Sequence, residues 1–140
     1  KSLTSVTIPN NLISIGLEAF ENCDKLKFNE YDNAYYLGNE ENPYFALIKA
    51  KLNTISTCEI SSQTKLIADN AFYDCERLTS VTIGSGVTSI GVGTFEYCSS
   101  LTNIAFKGTK AEWNAIGKGS YWKYNVPAKK VICSDGEVAM

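Results

Sequence analysis

Leu78-Thr-Ser-Val-Thr-Ile83 and Leu101-Thr-Asn-Ile-Ala-Phe106 begin 23 residues apart (101 − 78), and both repeat Leu3-Thr-Ser-Val-Thr-Ile8. Apolar residues that return at one phase of a period of roughly 20–30 residues are typical of a solenoid. Each coil is too small to bury its own apolar face, so successive coils must stack. The repeat therefore predicts the fold, and it favours a binding surface over a catalytic pocket.

Within one coil, the pattern predicts a strand, a corner, a second short strand and a helical turn. Ser5-Val6-Thr7-Ile8 alternates polar and apolar residues, as a strand with one buried face does. Ala19-Phe20 to Cys23 is too short for a full helix and suits a helical turn. The predicted parallel sheet has strands centred on Val6, Cys58, Val81 and Ile104. The residues predicted to point inward are Val6, Ile8, Ile60, Val81, Ile83, Ile104 and the column Phe20, Phe72 and Phe95. Those predicted to form the exposed strand face are Ser5, Thr7, Thr57, Glu59, Ser80, Thr82, Asn103 and Ala105.

The segment 27–54 interrupts the clean repeat. Ile55 lies 52 residues after Leu3, and subtracting one period leaves 29. Two apolar runs, 34–37 and 44–48, flank a polar turn, which predicts a β-hairpin inserted at one edge of the solenoid. Per-repeat insertions often form a binding face, and tyrosines are favoured at interfaces. The predicted binding residues are therefore Tyr31, Tyr35, Tyr36, Tyr44 and Phe45. The alternative is that these rings fold back and cover the coil edge.

After Phe106 the sequence leaves the repeat. We predict a solenoid over residues 1–106 and a C-terminal cap over 107–140, together forming one structural domain. Thr109 and Glu112 have the spacing of a capping box at the start of a short helix. The aromatic residues Trp113, Tyr121, Trp122 and Tyr124 would cover the last coil. The alternative is an aromatic platform that binds carbohydrate.

Composition excludes several classes of function. The 140 residues carry a net charge of −2 without a basic stripe, which argues against a nucleic-acid partner. No apolar run approaches the roughly 18–20 residues of a membrane span. The chain contains no histidine, which excludes Ser-His-Asp and Cys-His catalysis. Asp69, Asp74 and Glu76 cluster at a corner, where charge usually serves solubility. We therefore predict no enzyme, no cofactor and no metal site.

The five cysteines read as buried thiols. Cys58 occupies the repeat position of Val6 and Val81, so it should pack as a small hydrophobe. Cys75 and Cys98 share one phase, and stacked coils about 4.8 Å apart would allow a bridge between them. No Cys-x-x-Cys pair occurs, so zinc spacing is missing. The bridge stays open as an alternative to five thiols.

The repeat resembles the BspA-like leucine-rich repeat, a bacterial class with the pattern L-x-x-[VI]-x-[IL]-P-x-x-[VL]-x-x-I-x-x-x-A-F-x-x-C. The first coil meets it at Leu3, Val6, Ile8, Pro9, Leu12, Ile15, Ala19, Phe20 and Cys23. The coil from Leu78 meets it with Gly84 in place of proline and Thr94 in place of alanine. The segment around Trp113 is similar to the tail that closes such domains in gut bacteria. The resemblance implies a right-handed leucine-rich-repeat solenoid.

For function, the resemblance implies a secreted or cell-surface protein of a host-associated microbe, with roles in adhesion to host proteins or glycans. It supplies no catalytic residues. Flat, small outward residues fit a structural stalk that displays other domains as well as they fit an adhesin. A carbohydrate-binding or carbohydrate-degrading module is the third reading.

The chain opens inside a repeat, because Leu3 holds the role that Leu26 has three residues after Cys23. We therefore expect a fragment of a longer chain with further coils upstream. An apolar coil face without its neighbour favours association. We expect self-association through the truncated N-terminal end.

Overall fold

The computed structural model describes residues 3–16, 19–20, 23 and 25–140. In that part of the chain the backbone forms short strands in two sheets, with one helix. The elements are β1 (Asn29–Tyr31), β2 (Ala34–Leu37), β3 (Ala46–Ala50), β4 (Thr57–Glu59), β5 (Leu66–Ile67), β6 (Ser80–Ile83), β7 (Ser89–Ile90), β8 (Asn103–Phe106), α1 (Lys110–Ala115), β9 (Gly117–Lys118), β10 (Lys130–Cys133) and β11 (Gly136–Ala139). The helical turn predicted at Ala19–Cys23 lies partly outside the described residues.

The five-stranded sheet carries the 23-residue repeat. Its order is β11-β10-β8-β6-β4. Strands β4, β6 and β8 are parallel, and Cys58 pairs with Val81, which pairs with Ile104. These paired residues lie one repeat apart in the sequence, as expected when successive coils stack on each other. The predicted solenoid of short strands with little helix is confirmed.

The six-stranded sheet forms the second wall of the coil, in the order β1-β2-β3-β5-β7-β9. Strands β3, β5, β7 and β9 run parallel, with Leu47 opposite Ile67 and Ile67 opposite Ile90. Strands β1 and β2 are antiparallel additions at one edge. The two sheets face each other across an apolar core. A second apolar cluster packs Ile8 and Ile15 of the first coil against Leu37 and Phe45.

An aromatic column runs through that core. The rings of Phe72 and Phe95 stack with their centroids 5.2 Å apart and their planes 11° apart. The backbone N–H of Phe72 donates to the carbonyl of Thr94, and the N–H of Phe95 donates to that of Trp122. Trp122 therefore takes the next step of the column. Phe20, also predicted to point inward, is half-buried.

The segment 27–54 is itself one coil of the solenoid, so the prediction of a hairpin that grows out of its edge is corrected. The N–H of Lys27 donates to the carbonyl of Thr4. The equivalent bond in the regular coils runs from the N–H of Thr79 to the carbonyl of Ser56. The predicted hairpin exists as β2 and β3, yet β3 lies inside the six-stranded sheet beside β5. This coil has 29 residues from Leu26 to Ile55 (55 − 26), six more than the repeat. The extra length forms an added strand pair.

The predicted strand at Val6 does not form, since residues 3–16, all described, contain no strand. The neighbouring stretch of the next coil, β1, turns away to pair antiparallel with β2. Two backbone bonds replace the ladder, from Lys27 to Thr4 and from Ile8 to Gly38. Ile8 is buried as predicted, whereas Val6 is only half-buried.

Side chains close the free edge of β4, where a strand of the longer coil is missing. The backbone N–H of Glu59 donates to Oδ2 of Asp32 at 2.8 Å. Nδ2 of Asn33 donates to the carbonyl of Thr57 at 2.7 Å. An unpaired strand edge invites association, and these bonds satisfy it within the chain. They also end the five-stranded sheet before it reaches the first coil.

The coil pattern continues past Phe106, so the boundary predicted there falls inside a coil. The N–H of Ala128 donates to the carbonyl of Leu101, and β10 pairs in parallel with β8. Helix α1 begins at the predicted capping box, with Thr109 as N-cap and Glu112 at the third position. The hairpin β10–β11 then closes the sheet, because β11 is antiparallel.

All five cysteines are buried thiols, and none is bridged. The Sγ–H of Cys98 donates to the carbonyl of Phe72 at 3.0 Å. Burial raises the pKa of the Cys58 thiol to about 12. The interaction between the neighbouring Cys75 and Cys98 thiols lowers the pKa of Cys75 and raises that of Cys98. Cys58 fills a valine position in the core, as the repeat predicts.

Candidate binding surfaces

Two of the five aromatic residues predicted to bind ligand are part of the core. Tyr36 is fully buried, and its hydroxyl accepts a 3.0 Å hydrogen bond from the N–H of Ser61. Burial raises the pKa of the Tyr36 phenol, with the bond from Ser61 acting in the opposite direction. Phe45 is 4% exposed. Neither residue can bind a ligand at the surface, because both side chains fill the interior of the domain.

Tyr31 is exposed, whereas Tyr35 and Tyr44 are half-buried. Tyr31 is 39% exposed, and its ring lies 6.0 Å from that of Tyr44. Tyr35 is half-buried and stacks on Phe28 with the centroids 5.4 Å apart. Tyr44 also contacts the buried Tyr36, with the centroids 5.4 Å apart, so part of its ring belongs to the core.

The outer face of the five-stranded sheet carries small side chains on its middle strands, between larger ones towards its edges. One row crosses the strands in register, from Glu59 through Thr82 and Ala105 to Ile132. Thr57, Glu59 and Asn103 are exposed, and Ser80 and Thr82 are half-buried. Nζ of Lys107 lies 3.5 Å from Oε2 of Glu59 in an exposed ion pair, which adds little stability. Ser5 and Thr7 are exposed as well, but their coil lies beyond the edge of this sheet.

A row of exposed tyrosines follows the corners of the last coils. We call Tyr73, Tyr97, Tyr124 and Tyr121 the tyrosine ridge. Their exposed fractions are 43%, 37%, 48% and 65%. Centroid distances are 5.6 Å from Tyr73 to Tyr97, 5.7 Å from Tyr97 to Tyr124 and 5.9 Å from Tyr124 to Tyr121. The planes of each pair lie 74–90° apart, so the rings meet edge to face.

The backbone under the ridge has two left-handed positions in each coil. The first of these is filled by Asn70, Gly93 and Tyr121 in successive coils, with φ of 56°, 61° and 59°. The second is filled by Asp74, Tyr97 and Asn125, with φ of 61°, 64° and 61°. Glycine, asparagine and aspartate tolerate this conformation, whereas other side chains cost roughly 1–2 kcal/mol. Two ridge tyrosines therefore occupy positions that disfavour tyrosine.

Two carboxylates lie beside the ridge. The pKa of Tyr97 is raised, first by burial against its neighbours and then by nearby groups that include Glu96 and Asp74. Within the described part of the chain, neither carboxylate has an ion-pair partner within 4.0 Å. The ridge is therefore aromatic and locally acidic on its Tyr73–Tyr97 side.

The far end of the ridge opens into a groove of about 760 Å³. Tyr121, Tyr124, Asn125 and Met140 line it, together with Lys123. Trp122 faces the core here, because its ring lies 5.7 Å from that of Trp113. Trp113 is buried and serves as the predicted cover, while Tyr121 and Tyr124 are exposed.

Sequence reasoning missed Tyr73 and Tyr97. Their signal lies in the repeat itself, one or two residues after the buried Phe72 and Phe95. Tyr97 stands where the previous coil has Asp74, and an aromatic residue at a turn position was the feature to notice. The prediction favoured the segment 31–45 because it is rich in tyrosine. The number of tyrosines in a segment does not indicate whether their rings are exposed.

Among residues 3–16, 19–20, 23 and 25–140, no group of three His, Cys, Asp or Glu side chains is arranged to hold a metal ion. Across the same described ranges, no helix combines the length and the apolar character needed to cross a bilayer.

Comparison with known proteins identifies the family. No curated protein and no solved structure matches the chain. The model of the BspA type leucine-rich repeat region, with six copies, matches residues 1–114 and again residues 49–131. The second match extends into the coil that follows Phe106, in agreement with the hydrogen bonds found there. This family indicates a repeat module of the protein-binding or surface type, and the chain belongs to the BspA-type leucine-rich repeat family.

Proposed function

We propose that this domain is a non-catalytic binding module of a secreted or cell-surface protein, and that it adheres to host protein or glycan. The proposal rests on the family and on the outer face of the five-stranded sheet. That face presents an in-register row with the small residues Thr82 and Ala105 at its middle, which a partner can approach without a cavity. Tyr31 and its neighbour Asp32 extend the surface beyond β4, because Asp32 accepts the bond from Glu59.

The size of the face indicates how such a module works. Five strands about 4.8 Å apart span about 19 Å, and four residues span about 13 Å, which gives about 250 Å². A standard protein interface covers about 800 Å² on each partner. One domain should therefore bind weakly, and adhesion needs many copies that act together. Binding should be measured with the domain displayed at high density.

The direct test is a panel of host matrix proteins and glycans probed with beads coated with the domain. We expect capture of beads on at least one ligand. Thr82→Arg places a long side chain in the middle of the row and should weaken capture by about tenfold or more. Its melting temperature should stay close to that of the unchanged domain, because substitutions at such surface positions usually alter stability by about 0.5 kcal/mol or less.

Asn114→Arg is the matched control, since it adds the same side chain at an exposed position of α1, away from the sheet face. It should leave capture unchanged. Equal loss in both variants would point to non-specific charge effects. A folded domain that captures nothing on the whole panel would count against adhesion and favour the structural stalk.

The proposal includes self-association through the first coil. Ile13 is 78% exposed and Leu3 is 39% exposed, which leaves apolar surface at that end. Sedimentation velocity should show concentration-dependent association, and Ile13→Asp should reduce it. Identical sedimentation of both proteins at every concentration would exclude this surface as a contact.

A further inference from the structure

The ridge tyrosines at positions 97 and 121 are not explained by folding. Both stand at left-handed backbone positions, where the neighbouring coils use asparagine, aspartate or glycine. Tyr121 is 65% exposed, so its ring covers little of the core. Residues kept in a disfavoured conformation are concentrated at functional sites. The repeat offers a more stable residue at each position, and the chain instead exposes a ring.

The ridge also has the chemistry of a cation-binding surface. Tyrosine faces attract ammonium and guanidinium groups within about 6 Å of the ring. The ring of Tyr97 lies between those of Tyr73 and Tyr124, and Glu96 and Asp74 are close enough to raise its pKa. Negative charge beside an aromatic face strengthens the attraction for a cation. In the described part of the chain, neither carboxylate forms an ion pair with Arg77 or Lys123.

We propose that the tyrosine ridge binds an extended, arginine- or lysine-bearing segment of a partner protein. Cationic side chains lie against the rings of Tyr73, Tyr97 and Tyr124, and their charges are matched by Asp74 and Glu96. The inference deepens the proposed function and rests on the chain being a binding module. It adds a second surface and a ligand class to the sheet face.

The ring geometry favours a cation over a sugar. A sugar needs a flat ring face broad enough to stack on, and edge-to-face rings at 74–78° provide no shared plane. The rings touch edge to face, so a ligand side chain would lie against their exposed outer faces. Arginine suits such faces because its planar guanidinium stacks on aromatic rings and also forms hydrogen bonds with carboxylates.

The probe is a short fluorescent peptide of alternating glycine and arginine, with an otherwise identical glycine–glutamine peptide as the uncharged control. We expect the arginine peptide to raise its anisotropy with added domain and the glutamine peptide to show no change. Added salt should weaken the binding, because exposed charges are screened.

Two sets of variants locate the site. Tyr97→Asn removes the central ring and relieves the left-handed position, and it should weaken peptide binding by about fivefold or more. Its melting temperature should change by less than about 4 °C, because relief of backbone strain opposes the loss of two ring contacts. Tyr97→Phe keeps the ring and should keep the binding.

Asp74→Asn combined with Glu96→Gln removes two charges and keeps both shapes, and asparagine tolerates the left-handed backbone at position 74. This pair should weaken binding by about fivefold and remove most of its salt dependence. The matched control is Glu40→Gln with Glu41→Gln, the same charge change on the remote loop between β2 and β3. It should leave binding unchanged.

The outcomes separate this inference from the proposed function. The proposed peptide site on the ridge is wrong if the ridge variants bind the peptide as well as the unchanged domain does. It is also wrong if the loop variants weaken binding equally. Failure of the arginine peptide to bind, or oligosaccharide binding that Tyr97→Asn abolishes, would overturn it too. Bead capture that Thr82→Arg blocks and Tyr97→Asn spares would sustain the sheet face alone. Peptide binding without any bead capture would sustain the ridge alone.

Discussion

Replacing Phe72 with alanine should lower the free energy of unfolding by about 3–5 kcal/mol, the range for truncating a buried phenylalanine. The ring is fully buried and stacks on Phe95 at 5.2 Å. Its own carbonyl accepts the bond from Cys98, and its N–H donates to Thr94. The truncation leaves a cavity between two coils whose backbones are bonded to each other, so the walls cannot collapse fully to fill it.

Denaturant titration followed by circular dichroism measures this loss. The comparison is Thr82→Ala, which truncates a half-buried side chain on the outer face and should cost well under about 1 kcal/mol. The slope of the transition should stay the same in both variants if only stability has changed. Equal losses at positions 72 and 82 would mean that the inner and outer faces have been assigned wrongly.

The regular coils were predictable from sequence because their register is set by the period. Val81 and Ile104 lie 23 residues apart (104 − 81), and they pair directly in the five-stranded sheet. A strand of alternating residues has two faces, and identical phase in each coil places the same face inward. Phe72 and Phe95 follow the same logic. At these positions the same local structure occurs in several coils, so the residues of each coil indicate the structure of the others.

The coil from Leu26 to Ile55 could not be predicted in this way because it has no second copy. Its length suggested an insertion, and its apolar runs gave the correct hairpin, β2 and β3. What sequence did not reveal is that β3 joins the parallel sheet beside β5. That pairing depends on contacts between distant parts of the chain. The loss of the Val6 strand follows from it, since β1 leaves to pair with β2.

Of the two candidate binding surfaces, one could be predicted from the sequence and the other could not. The outer strand face follows from alternation, so its residues could be named in advance. The tyrosine ridge depends on the direction of side chains at corners, where successive coils have two left-handed backbone positions. No hydrophobic period describes such corners. Tyr73 and Tyr97 hold different positions in the repeat, so alignment of the coils does not pair them, and their edge-to-face contact is seen only in the structure.

The second large effect concerns Tyr36, which the sequence analysis places among the predicted binding residues of the segment 27–54. Tyr36→Ala should lower the free energy of unfolding by about 3–5 kcal/mol, because it removes a fully buried ring. The ring lies 5.4 Å from that of Tyr44, at 84° between the planes. Its hydroxyl satisfies the N–H of Ser61, itself only 5% exposed. Tyr36 thus connects the added strands of the longer coil to the coil that follows, through its hydrogen bond with Ser61.

Tyr36→Phe separates the ring from the hydroxyl. It keeps the packing and leaves the Ser61 N–H unpaired, which should cost about 1–3 kcal/mol. Tyr31→Ala is the matched surface control and should cost less than about 1 kcal/mol, since that ring is 39% exposed. Urea titrations of the three variants check the order. A Tyr36→Ala protein as stable as Tyr31→Ala would place the ring outside the core.

Alkaline pH gives an independent readout of the same phenol. Burial raises the pKa of Tyr36 above its ordinary value of 10.0, so the folded state holds the proton more tightly than the unfolded chain. The associated stability is complete below pH 10 and is lost as pH rises beyond it. Tyr36→Phe lacks this loss. The stability difference between the unchanged domain and Tyr36→Phe should therefore narrow above pH 10, and a constant difference would contradict a buried phenol at this position.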